Sequence, residues 1–88
     1  MNKIEHIGIA VRSLAEAGPR FAALLGREPY KTEAVPTQGV TTQFFRTGES
    51  KVELLEASRD DSPIAKFLAQ RGEGIHHLAF AVDDLRAE

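Results

Sequence analysis

Eleven residues near the start of the chain return near its end, and that repeat constrains the fold more than any other feature. Ile4-Glu5-His6-Ile7-Gly8-Ile9-Ala10-Val11-Arg12-Ser13-Leu14 lies over Ile75-His76-His77-Leu78-Ala79-Phe80-Ala81-Val82-Asp83-Asp84-Leu85 without a gap, at an offset of 71 residues, with five of the eleven positions identical. Histidine falls on histidine, small residue on small, large apolar on large apolar, and helix-capping residue on helix-capping residue. A chain that repeats one supersecondary unit in this way builds its fold by setting the copies against each other.

Both copies read as strands, rich in branched and aromatic residues and alternating in character. Successive side chains of a strand point to opposite faces. His6, Gly8 and Ala10 therefore share a face opposite Ile7, Ile9 and Val11. In the second copy His77, Ala79 and Ala81 oppose Leu78, Phe80 and Val82. Each strand has a bulky face suited to packing on a helix, and a second face with one histidine beside very small residues. Small residues on a curved sheet leave room, and a histidine next to that room is placed to bind something. A lone strand histidine is more often structural, but two at equivalent places of a repeat make His6 and His77 ligand candidates. His76 alternates to the other face, has no histidine counterpart in the first copy, and is read as structural.

Between the copies the pattern gives a helix, a hairpin with a third strand, and a second helix. Ser13 can cap a helix running to about Leu25, with Leu14, Ala17, Phe21 and Leu24–Leu25 at helical spacing and Gly26 as its terminator. Pro19 lies inside it and is expected to kink or weaken it. Residues 28–35 are extended, Gln38-Gly39 turns, and residues 40–47 alternate as the next strand. Gly48-Glu49-Ser50 leads into another strand, Lys51 to Glu56. Ser62-Pro63 pairs a capping side chain with proline at the first helical position, and the helix it opens carries Ile64, Phe67 and Leu68 on one face to near Gly72. A strand over about 74–82 leads to Asp83-Asp84-Leu85, where a further helix is expected to begin. Strand, helix, three strands, helix, strand is an α+β order.

Composition narrows the chemistry. The chain has no cysteine, which excludes a disulfide scaffold and any thiolate metal site. Its net charge is −2 with both signs scattered and no basic run, so neither nucleic acid nor a membrane surface is an expected partner. Met1-Asn2-Lys3 runs straight into patterned sequence without a secretory signal, and a cytoplasmic protein is the default expectation. A hard divalent ion held by two histidines requires oxygen ligands as well. Glu53 is a candidate: it alternates against Val52 and Leu54, an expensive position for a carboxylate unless it is paired or bound. A partly exposed glutamate on an edge strand would give the same pattern.

The strings His6-Ile7-Gly8-Ile9-Ala10-Val11, Lys51-Val52-Glu53-Leu54-Leu55-Glu56, Asp61-Ser62-Pro63-Ile64-Ala65-Lys66-Phe67-Leu68 and Gly72-Glu73-Gly74-Ile75-His76-His77-Leu78-Ala79-Phe80 resemble methylmalonyl-CoA epimerases of the vicinal oxygen chelate (glyoxalase) superfamily, in that order and spacing. The first and last strings are shared with glyoxalase I. The Asp-Ser-Pro-Ile-Ala stretch and Gln38-Gly39-Val40 are more particular to the epimerases. The resemblance implies two βαβββ modules forming a cup around one divalent ion, cobalt above all, with manganese, nickel, magnesium or zinc as alternatives. Residues 1–57 would be the first module, 58–73 the connecting helix, and 74–88 the start of an incomplete second module.

Matched position by position, the implied metal ligands are His6, Glu53 and His77. The family's fourth ligand is a glutamate that the 71-residue offset would place near position 124 of a longer protein. The implied reaction inverts the carbon between the carboxylate and the thioester of methylmalonyl-CoA, so an acyl-CoA thioester is the expected partner and a homodimer the expected assembly. Where members of the family carry a glutamate acid/base after Gln-Gly-Val, this chain has Thr42, with Gln43 next. No proton carrier is therefore assigned within it. The alternatives are a lactoylglutathione lyase of the glyoxalase I kind and a non-catalytic small-molecule binder of the same fold. The 88 residues alone are expected to be inactive, and weakly stable or self-associating through an unpaired strand edge.

Overall fold

A computed structural model describes residues 3–81. β1 (Lys3–Ala10) is followed by α1 (Leu14–Leu25), β2 (Lys31–Val35), a 3₁₀ turn (Pro36–Gln38), β3 (Val40–Thr47), β4 (Ser50–Ala57), α2 (Pro63–Arg71) and β5 (Gly74–Ala81). The five strands form one sheet in the order β2-β3-β4-β1-β5. β2, β3 and β4 form an antiparallel meander, β1 lies parallel to β4, and β5 runs antiparallel to β1 on its other side. The α+β order read from the sequence is the order observed. The helix expected at Asp83-Asp84-Leu85 lies outside the described residues. Among the described residues, no helix is long and apolar enough to cross a membrane.

The elements start and stop for local reasons. Ser13 Oγ accepts a hydrogen bond from the Glu16 backbone N–H at 3.2 Å, and Gly26 closes α1 in the left-handed region at φ 73°. Pro19 does not end α1, which runs through it. The lost hydrogen bond is outweighed because Leu14, Ala17, Phe21, Ala22 and Leu25 anchor the helix to the sheet on both sides of the proline. Leu24 departs from its expected role. It stands at the margin of the apolar stripe and is 77% exposed. At α2, Ser62 is fully buried and its Oγ accepts from the Ala65 N–H at 3.1 Å, with Pro63 opening the helix. Gly39 follows the 3₁₀ turn at φ 65°, and a Cβ there would come within 2.9 Å of Ser62 Cβ. The turn and the α2 cap thus press on each other through a position that only glycine fits.

Two apolar clusters line the two faces of the sheet. On one face Val11, Ala17, Ala22, Phe45, Val52 and Leu54 form a core under α1, extended by Ile9, Leu14, Phe21 and Leu25. On the other, Ala10, Val40, Leu55 and Ile64 pack with Phe67 and Leu68 of α2. α2 covers only one end of this second face. Beside it, over the middle of β1, β4 and β5, His6, Glu53 and His77 gather.

Candidate metal centre

The three residues singled out as ligands come together on that second face. His6, Glu53 and His77 each offer a nitrogen or carboxylate oxygen, and these atoms lie within 4.8 Å of one another. Three strands supply them. Pairing of β1 with β4 sets Gly8 opposite Glu53, and pairing of β1 with β5 sets Gly8 opposite His77. Alternation puts Glu53 on the face of Leu55, away from Val52 and Leu54, which belong to the α1 core. Gly8 makes the convergence possible. A Cβ on it would overlap the His77 ring, so the ring lies flat over the one position of β1 that has no side chain. The small face read from the sequence is thus a seat for the second histidine.

The donor geometry suits a cation. His6 Nε2 and His77 Nε2 are 3.1 Å apart, with the rings edge to face. Two imidazole nitrogens at 2.0–2.1 Å from one ion, at angles between square and tetrahedral, are separated by roughly 2.8–3.4 Å. Two facing lone pairs at that distance repel unless a proton or a cation lies between them. Glu53 Oε2 is 3.7 Å from His6 Nδ1, and both side chains are mostly shielded, at 14% and 20% exposure. A nitrogen-rich set completed by a carboxylate fits a borderline divalent ion such as zinc, cobalt or nickel better than calcium. Burial, followed by the proximity of His6 and His76, pulls the pKa of His77 below the ordinary histidine value. That favours the neutral, coordinating form.

The strands are not regular at the site, and this corrects one expectation. The β1–β5 register slips twice: Ile4 faces Phe80 while His6 faces Ala79, and Gly8 faces His77 while Ile9 faces Ile75. The extra residue is Glu5 in the first slip and His76 in the second. Each is a β-bulge, which re-aims side chains that strict alternation would send to opposite faces. His76 therefore does not point away from His77. Its Nδ1 is 3.0 Å from His77 Nδ1, and its ring meets Phe67 of α2 edge to face at 5.0 Å between centroids. Glu5 Oε1 lies 2.6 Å from His6 Nδ1, and Glu5 Oε2 binds Lys51 Nζ at 2.8 Å. Lys51 and then His6 hold the Glu5 carboxyl below its ordinary pKa, while Glu5 raises that of Lys51. Sequence reasoning passed over Glu5. The available signal was its place directly before a candidate ligand, matching that of His76 in the repeat.

A cavity of about 450 Å³ opens beside His77, lined by Val40, Leu55, Ile64, Arg59 and His76 among others. Arg59 is tied to Asp61 at 2.8 Å and donates to the Pro36 carbonyl, which holds the loop at the cavity's edge. Thr42 is buried on the face of Val40, whereas the Gln43 side chain turns toward α1, its Oε1 against Gly18. Neither supplies a base at this site.

A five-stranded α+β unit with two histidines and a glutamate converging from three of its strands points to a class of protein, and the sequence comparison gives the same one. Residues 5–88 match the profile of the glyoxalase/bleomycin resistance protein/dioxygenase superfamily, and the chain belongs to that family. It is 42% identical over 80 residues to the uncharacterized protein YqjC of Bacillus subtilis, covering 91% of this chain and 57% of that protein. It is 34% identical over 88 residues to the human mitochondrial methylmalonyl-CoA epimerase, covering 99% of this chain and 50% of the enzyme. Among solved structures, the Streptomyces coelicolor methylmalonyl-CoA epimerase in complex with 2-nitronate-propionyl-CoA superposes with a TM-score of 0.81 at 38% identity, covering 97% of this chain and 65% of that one. The chain thus spans between half and two thirds of the length of these proteins.

Proposed function

We propose that this chain contributes three protein ligands, His6, Glu53 and His77, to the metal centre of an epimerase acting on the α-carbon of methylmalonyl-CoA. The observation that carries the reading is the meeting of two repeat-related histidines and a carboxylate within 4.8 Å, on a fold shared with methylmalonyl-CoA epimerases along nearly its whole length. A divalent ion bound there would supply electrophilic stabilisation to negative charge developing on a thioester oxygen. The chain's own residues do the rest of what falls to this half. Gly8 gives His77 its seat, the β1–β4–β5 pairing fixes the three donors, and Val40, Leu55 and Ile64 give the adjoining cavity an apolar wall.

Inversion needs one group to remove the α-proton and another to return it on the opposite side. Thr42 and Gln43 do neither at neutral pH. Among the described residues of the site, none is assigned as the proton carrier. The test is exchange of the α-proton of methylmalonyl-CoA in deuterated water. The 88-residue chain alone should bind divalent metal weakly and exchange nothing. A protein extended through a second module should bind metal tightly and exchange the proton, and His6→Ala or His77→Ala should abolish both. Conversion of the methylglyoxal–glutathione hemithioacetal in place of that exchange would assign the site to the glyoxalase I reaction instead.

A further inference from the structure

The two bulges fall at one position of the repeat. Glu5 precedes His6 and His76 precedes His77, separated by the same 71 residues as the histidines themselves. Each is the extra residue of its strand in the β1–β5 ladder. Each also touches the outer nitrogen of the histidine that follows it, at 2.6 Å for Glu5 to His6 Nδ1 and 3.0 Å for His76 Nδ1 to His77 Nδ1. The inner nitrogens, both Nε2, face each other at 3.1 Å. One register slip per copy has thus placed a hydrogen-bonding group behind each candidate ligand.

We propose that Glu5 and His76 are the positioning residues of the metal centre, each accepting the Nδ1–H of the next residue so that both histidines present Nε2 lone pairs to one cation. This rests on reading His6 and His77 as ligands. An imidazole binds a metal through one nitrogen, and the hydrogen bond at the other decides which nitrogen that is and how the ring is oriented. For His6 the acceptor is a carboxylate, itself held by Lys51 at 2.8 Å. For His77 it is a neutral imidazole that keeps its own proton on Nε2 and is steadied by the Phe67 ring. In regular strands neither group could act, because residues adjacent in sequence point to opposite faces. The bulges are what make the preceding residue a neighbour of its histidine.

The experiment is zinc titration calorimetry on the chain and on Glu5→Ala, Glu5→Gln, His76→Ala and His76→Asn, with long-range proton–nitrogen NMR of the zinc-loaded imidazoles. Both alanine variants should bind zinc about 10–100-fold more weakly. Gln and Asn each keep a carbonyl acceptor near the lost one, and should restore affinity to within about threefold of the parent, as a merely steric role would not require. The NMR should show zinc on Nε2 and a proton on Nδ1 in both His6 and His77. Alanine variants that bind as tightly as the parent, carbonyl variants no better than alanine, or coordination through Nδ1 would each overturn the inference while leaving the metal centre intact. A parent chain that takes up no zinc would instead remove the metal centre, and the inference with it.

Discussion

β1 and β5 carry copies of one motif yet occupy different worlds. β1 lies inside the sheet between β4 and β5, and its bulky face packs into the core under α1 through Ile9 and, just past its end, Val11. β5 is an edge strand, and the corresponding face leaves Ile75, Leu78 and Phe80 at 61%, 46% and 49% exposure. On the histidine face the two strands behave alike, each bringing one ring to the same point. The difference teaches that the repeat sets the two strands and the meeting of their histidines, whereas burial depends on what lies next to each strand. The apolar side of β5 has the composition of a core without a covering layer among the described residues.

The largest test of that comparison lies at equivalent small residues. Gly8 of β1 pairs with His77, and its counterpart Ala79 of β5 pairs with His6. Gly8→Ala would drive a methyl into the His77 ring. Zinc affinity should fall by at least about 100-fold, with the fold retained by circular dichroism, since a ligand is displaced outright rather than merely misoriented. Ala79→Gly removes a methyl that His6 already accommodates, and should leave zinc affinity within about threefold while costing roughly 0.5–1 kcal/mol of stability. Equal losses from the two changes would show that the seat does not depend on Gly8.

The next test sets size against location. Ile9→Ala should destabilise the chain by about 2 kcal/mol, at the low end for an aliphatic core truncation because Ile9 is only partly buried. Phe80→Ala removes a larger side chain but should cost below about 1 kcal/mol, since the ring is half-exposed. Urea unfolding measures both. A larger loss at Phe80 would mean that the bulky face of β5 is covered in solution, and concentration dependence of that midpoint would identify the cover as a second copy.

The smallest effect lies away from both strands. Arg59 holds the Asp61 carboxyl below its ordinary 3.8, chiefly through its hydrogen bond and then through its charge. The folded value lies under the unfolded one, so the stabilisation is fully present above pH 3.8 and is lost as pH falls through the lowered midpoint. Arg59→Gln should raise the Asp61 midpoint, followed by carboxyl NMR, toward the ordinary value. His77 should not respond, because the polar contacts of Arg59 are with Asp61 and the Pro36 carbonyl. A shift at His77 in the same variant would show that the loop and the metal centre are coupled.

Much of this molecule was legible from its residues. Helix starts at Ser13 and Ser62, stops at Gly26 and Gly72, and the strand over 40–47 follow from local capping, glycine and alternation chemistry, which acts within a few residues. The meeting of His6 and His77 followed from the repeat and the period of two along a strand, whereas Glu53 was singled out by its place between apolar residues and by the family resemblance. Where tertiary packing competes with local rule, the reading failed at Leu24, which had the spacing of a buried residue but stands exposed at the margin of the apolar stripe.

The sequence by itself determined the order of the elements, the face shared by His6 and His77, and Glu53 as the acidic candidate, because these depend on neighbours along the chain. Only the tertiary structure decided that His77 sits over Gly8, that β5 closes beside β1 as an edge, and that Glu5 and His76 turn back toward the site. Register is a property of two strands together. One extra residue on either strand leaves the composition of both unchanged and still re-aims a side chain toward the opposite face.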